Sequence, residues 1–312
     1  MQNRKSERLY GGSGFQKCTR TPDYAQNRKA TRTLGSQPPA NLMVEYRACA
    51  SVGKKAERVR YHSFGNVTEG TAMPSWNIHT AHVERLLQSE SPKSLGICDR
   101  NAFLFGNFVP DIYVGYVVQP ISRKIEYRET HFADPGFVPT PDAALFYKRY
   151  VRQSEPSTLG DLTLGAWTHL ICDHYYNLRN NEFIARIGVK PGNQTRIRKQ
   201  ADFASFGRTL SISLIPYIDD GLLSACAAFP QYAILEEDVR ATIQAQKKIV
   251  IQNQREHLDQ QPAYRMLTSE FFSQTFVEVD NLLREALHLH ACGADPTYIG
   301  RPADGTDERL EG

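Results

Sequence analysis

The stretch G-A-W-T-H-L-I-C-D-H-Y-Y-N, Gly165 to Asn177, decides how this chain is read. Its apolar residues recur at helical spacing, and it carries His169 and Asp173 four residues apart. At that spacing two side chains share one face of a helix, about one turn apart. A neutral imidazole and a carboxylate converging from an apolar helix suit a divalent metal. A helical His–Asp hydrogen bond accounts for the pair alone equally well. The rest of the chain has to separate the two readings.

Outward from this segment the body of the chain is helical. Ser75 stands where a cap is needed before Ile78, His79, His82, Val83, Leu86 and Leu87. That helix breaks at Ser91–Gly96, and Asp99 opens a second one that Pro110 should stop. A long irregular connection is expected from Tyr113 to Pro141. Connections of that length inside a compact domain are usually functional. Thr140, Pro141 and Asp142 supply cap, first-turn proline and first-turn acid for a helix to about Gln153. The central helix is expected over 159–179, with shorter and longer helices over 198–213, 235–258 and 269–291. No run of alternating strands and no internal repeat interrupts the pattern. The fold class is all-α: a multi-helix bundle with a metal site between helices and a long connecting loop.

Charge divides the chain. Residues 1–72 carry 13 Lys/Arg against 5 Asp/Glu, whereas residues 73–312 carry 24 against 29. The first segment is also rich in Gly, Ser, Gln and Asn and cannot bury enough apolar surface to offset chain entropy. It reads as a basic, disordered extension, with Met73 as the natural start. Residues 73–291 form the domain, and 292–312 a loose tail. A basic tail can touch nucleic acid, but nothing in the body asks for it. No apolar run approaches the roughly 18–20 residues that span a bilayer, and no export signal stands at the start. The six cysteines are scattered, without a C-x-x-C pair, against a zinc knuckle or a disulfide framework. A cytoplasmic location is the expectation.

Four motifs follow one another in order: M-P-S-x-x-x-H ending at His79, G-x-x-x-P-D ending at Asp111, T-H-F around His131, and G-x-x-x-H-x-x-x-D from Gly165 through His169 to Asp173. Three histidines and two carboxylates on four elements suit Zn²⁺ first, with Mn²⁺ or Fe as alternatives. The order resembles the zinc-dependent phospholipase C family, in the fold group that includes the P1-type nucleases. The resemblance spans about Met73 to Arg179.

It implies that Asp111, His131, His169 and Asp173 ligate one metal, and that Asp173 bridges to a second held by His79. It also implies phosphoric-ester hydrolysis by a metal-activated water, with Asp111 doubling as general base. The substrate would then be a phosphoester small molecule or a phospholipid. Departures from the family are equally plain. Its next histidine, six residues after the bridging aspartate, is here Arg179. No later histidine has Glu four residues on, and Trp76 is internal, so it offers no free amino group. One or two ions are expected instead of three. The alternative is a metal-binding structural or interaction protein of the same fold that has lost catalysis. An HD-type phosphohydrolase needs adjacent His-Asp, and this chain has Asp173–His174 in the reverse order.

His82 and His174 are candidates for the layer behind the ligands. Arg123, Lys124 and Arg128 could offer charge to a phosphate, and a solvated loop explains them equally well.

Overall fold

A computed structural model describes residues 75–298. The basic segment 1–72, Met73 as a start, and the tail beyond 298 lie outside the described residues. Among the described residues there is no strand, and the all-α expectation holds. None of these helices is long and apolar enough to cross a membrane.

The first helix, α1, spans Trp76–Ser89. Ser75 precedes it in extended conformation, but its hydroxyl makes no cap bond; the main-chain oxygen alone receives Ile78 N and His79 N. Asp99 does cap α2 (Arg100–Gly106), accepting from Ala102 N at 3.0 Å. Pro110 does not end a helix as expected. It stands in the first turn of α3, Val109–Ile112, where a missing N–H costs nothing.

The connection after α3 is not irregular throughout, because it contains α4, Tyr127–His131. One carboxylate from the far side of the chain orders its beginning. Asp238 accepts from Tyr113 OH (2.8 Å), Ser122 N (2.8 Å) and Ser122 Oγ (2.5 Å). Arg123 lies over the Tyr113 ring at 4.7 Å and donates to Ala233 O, which commits its charge to the loop. The next helix, α5, covers only Ala143–Phe146 and passes into a π-turn over Tyr147–Val151.

The central helix α6 runs Thr158–Arg186, a turn or more beyond the expected 179. Ser157 opens it by accepting from Gly160 N, and Gly188, at φ +65°, follows its end. Then come α7 (Asn193–Gly207), α8 (Asp220–Ala227), α9 (Glu236–Arg255) and α10 (Ser269–Ala291). Helix α7 starts and ends several residues before the expected 198–213, and α8 is a helix the sequence pattern does not predict.

Helix α6 is buried without interruption from Gly160 to Asp173, with α2, α8 and α10 packed around it. Its nearest neighbour is α2. A Cβ on Gly106 would lie 2.1 Å from Leu162 O, and one on Gly165 would lie 2.1 Å from Phe103 O. Two glycines facing each other therefore bring these backbones into direct contact. That approach puts Asn107, just past α2, alongside His169. Asn107 Nδ2 donates to Thr168 Oγ1 at 3.0 Å, and Asn107 O lies 2.8 Å from His169 Nδ1.

Candidate metal centre

Five side chains from four helices meet beside the midpoint of α6. His79 comes from α1, Asp111 from α3, His131 from the last residue of α4, and His169 and Asp173 from α6. All five are buried, none more than 2% exposed. The residues expected from the sequence as ligands are thus the ones the fold brings together. They form two overlapping groups, His79–His169–Asp173 and Asp111–His131–His169.

Hydrogen bonds behind the rings fix which nitrogen faces inward. His169 Nδ1 meets a carbonyl, Asn107 O, so it must carry the proton. His131 Nδ1 lies 2.7 Å from Thr130 Oγ1 and 3.2 Å from Tyr127 O. Thr130 Oγ1 itself donates to Tyr127 O, so it accepts from the imidazole. Both rings therefore turn an unprotonated Nε2 toward the centre, and these two atoms are 3.2 Å apart. Neither can donate to the other. Two lone pairs face each other in a buried space, an arrangement that a cation between them resolves.

The carboxylates complete the set. His131 Nε2 is 3.6 Å from Asp111 Oδ1 and 3.6 Å from Asp173 Oδ2. His169 Nε2 is 3.9 Å from Asp111 Oδ2 and 3.7 Å from Asp173 Oδ2. Ligands about 2.05 Å from a tetrahedral zinc are roughly 3.3 Å from one another, so these separations are those of a donor shell. His79 Nε2 is 3.0 Å from Asp173 Oδ1, but the pair lacks hydrogen-bond geometry and both atoms are left without a partner, as is Asp111 Oδ1. Unpartnered buried polar atoms are costly and uncommon. Here they cluster at one point, which is what the donor set of an ion looks like.

Electrostatics agree. Burial, followed by the charge of neighbouring histidines, lowers His79 and His169 to about 3 and His131 well below its ordinary value. The His79–Asp173 contact is accordingly not an ion pair at neutral pH. Burial pushes Asp173 up to about 6, and burial with Asp173 nearby pushes Asp111 well above the carboxylate range. Three neutral imidazoles and two buried carboxyl groups of raised pKa thus meet at one point.

One pH dependence follows. The histidines hold no proton to displace above about 3, whereas Asp173 holds one below about 6. Zinc affinity, measured by chelator competition, should fall as pH drops and carboxyl protons compete with the ion, Asp173 contributing from about 6 and Asp111, held well above the carboxylate range, adding to the loss. Affinity that instead tracks an ordinary histidine titration would contradict the burial argument.

Several residues behind the ligands were not legible from sequence. Trp76 Nε1 donates to Asp111 Oδ2 at 2.8 Å, and Tyr127 OH donates to Asp173 Oδ2 at 3.1 Å. Tyr127 also stacks on His131, ring centroids 3.8 Å apart. It stands four residues before His131, a spacing that would have singled it out had α4 been recognised. Trp76→Phe removes the donor to Asp111 and keeps the ring. It should weaken zinc about 10-fold or more in the same competition assay, with an unchanged affinity counting against the role.

His82 is not among the donors. Its Nδ1 is 2.6 Å from Asp280 Oδ1 and its Nε2 is 3.2 Å from Tyr176 OH, while Arg85 Nε donates to Asp280 Oδ2 at 2.5 Å. It ties α1 to α6 and α10 one turn beyond His79. His174 Nδ1 donates to Pro141 O at 2.7 Å and lines a separate cleft of about 430 Å³ with Phe132, Asp142 and Tyr175. It anchors a loop and touches no ligand. Arg179, six residues past Asp173, pairs with Glu182 and Glu278 at the periphery.

No family model, no curated protein and no solved structure matches the chain.

Proposed function

We propose that this protein is a zinc-dependent hydrolase of phosphoric esters, of the phospholipase C-like type its motif order resembles. The observation that carries the metal half of this reading is the pair of inward-facing Nε2 atoms of His131 and His169, 3.2 Å apart and flanked by two buried carboxylates. His79, Asp111, His131, His169 and Asp173 would hold one or two ions. Zinc bound there would supply a Lewis acid for a phosphoryl oxygen and lower the pKa of a bound water. The absence of cysteine from the set also suits catalysis better than the sulfur-rich shells of structural zinc.

Among the chain's own groups, Asp111 has one oxygen held by Trp76 and the other unpartnered. An Asp111 oxygen only loosely held by the ion could accept a proton from water, its other oxygen being fixed by Trp76. Tyr127 orients Asp173, and Asn107 orients His169. The diesterase test is turnover of bis-p-nitrophenyl phosphate by the zinc-loaded chain. Loss of turnover in Asp111→Asn with zinc retained supports the base role. No turnover by metal-replete protein contradicts the hydrolase reading.

A second reading has one observation in its favour. The five donors are fully or nearly fully buried, whereas a catalytic ion keeps a position open to substrate. A metal-binding structural protein would gain thermal stability from zinc and cleave no phosphoester.

A further inference from the structure

The chain from Phe132 to Asp142, directly after the proposed ligand His131, folds back on itself. Asp142 N donates to His131 O at 3.3 Å, so both ends of the segment meet at that residue. Inside it, Asp134 Oδ1 accepts from Gly136 N at 2.9 Å and Thr140 N at 3.1 Å, and Asp134 N donates to Thr140 O at 3.2 Å. A loop with closed ends and bonds of its own can move as one body.

One face of α6 holds it down. His174 Nδ1 donates to Pro141 O at 2.7 Å, Asn177 Nδ2 to Pro139 O at 2.9 Å and Asn181 Nδ2 to Val138 O at 3.0 Å. Residues at these spacings line one side of a helix, and Asn177 projects about 40° around α6 from Asp173. The loop is therefore strapped to the ligand-bearing helix by side chains alone. Each such bond is worth about a factor of five, and releasing it breaks no helix.

Two further observations mark the segment as movable. Phe132, its first residue, sits at φ +52°, a region that bulky side chains rarely adopt and that persists only where surrounding contacts enforce it. The cleft of about 430 Å³ runs along the same loop, with Phe132, Thr140 and Pro141 facing Ile171, His174 and Tyr175 of α6. It borders both ligand-bearing elements, since Phe132 adjoins His131 and His174 adjoins Asp173. The donors themselves are at most 2% exposed, so an ion or an ester reaches them only through an opening.

We propose that residues 132–142 are a strap over the metal centre, closed in this structure, which swings about Phe132 and Asp142 to admit ion and substrate when the three α6 side chains let go. This rests on the cluster holding a cation, which zinc content reports separately. It also answers the burial that favours a structural ion, because the position open to substrate appears when the strap lifts.

The test is the rate of zinc uptake and of zinc release to a chelator in the full chain, as wild type, Asn181→Ala and His174→Ala/Asn181→Ala. Uptake and release should both quicken about 5-fold in the single variant and about 25-fold in the double, with the equilibrium affinity unchanged. Unchanged rates in the double variant overturn the proposal. So does faster release without faster uptake, which is what lost support of a ligand would give. If the double variant does not fold, Asn181→Ala, at a half-buried helix position, decides by the same outcomes. A second arm needs no metal: carbethoxylation of His131 and His169 by diethyl pyrocarbonate in the zinc-free chain, located by mass spectrometry. Both should react faster in the variants by the same factors, while His82, held by Asp280 away from the strap, keeps its rate. Equal rates at His131 and His169, or a parallel rise at His82, overturn the strap. A wild type that takes up no zinc contradicts the metal reading instead, and the metal-free arm then judges the strap.

Discussion

Gly165→Ala is expected to destabilise the protein by about 3 kcal/mol, the upper part of the usual range for overpacking. Helix propensity alone points the other way, since alanine in a helix interior is worth about 1 kcal/mol more than glycine. Contact decides the sign. The new Cβ would stand 2.1 Å from Phe103 O and 2.9 Å from Gly106 Cα, both backbone atoms that cannot swing aside. For a domain of this size the loss corresponds to about 6–12 °C in melting temperature. Separating α2 from α6 should also carry Asn107 O away from His169 Nδ1 and weaken zinc. Gly192→Ala is the control, because nothing lies within 4 Å of its Cβ position, and it should cost under about 1 kcal/mol. Thermal melts of the two variants check this directly. Equal stability in Gly165→Ala and wild type would mean that the two helices do not meet at these glycines.

The second large effect is on metal affinity. Asp173 is the most connected member of the cluster, near His79, His131 and His169 and bonded by Tyr127. Asp173→Asn keeps the shape and the Tyr127 bond but removes the charge. Zinc affinity should drop by more than about 100-fold, beyond what the loss of an outer partner costs. The metal-free variant should melt no lower than the metal-free wild type, because burial alone raises the Asp173 pKa to about 6 and an uncompensated carboxylate is lost with it. The sign of the linkage can be checked too. A carboxyl group whose pKa is raised by folding binds more protons folded than unfolded, so the stability it contributes falls as pH rises from about 4 to about 6. Asp173→Asn should remove that component from the metal-free protein's pH profile. Calorimetry at pH 5 and 7 on the zinc-free pair tests it.

The long amphipathic helices were the most legible part of the fold. The reading of 269–291 coincides with α10, because Thr268 caps it and its apolar face repeats without interruption. Short helices were harder. Pro110 reads as a stop in the sequence, yet it sits in the first turn of α3, and five residues of α4 offer too little periodicity to recognise. Helix α8, eight residues long with three of them buried, escaped for the same reason. The cluster was legible because its donors are chemically distinctive and fall in an ordered series. What orients them was not. Asn107 reaches His169 across 62 residues, through a glycine contact that only tertiary packing reveals, and Asp111 meets Trp76 from 35 residues away.

The central claim is that His79, Asp111, His131, His169 and Asp173 hold a metal ion. Elemental analysis of the purified chain, loaded with zinc and dialysed against metal-free buffer, tests it most directly when run beside Asp173→Asn. One or two zinc ions per wild-type chain, with substoichiometric zinc in the variant, is the expected result. A wild type that retains no zinc, manganese or iron would contradict it.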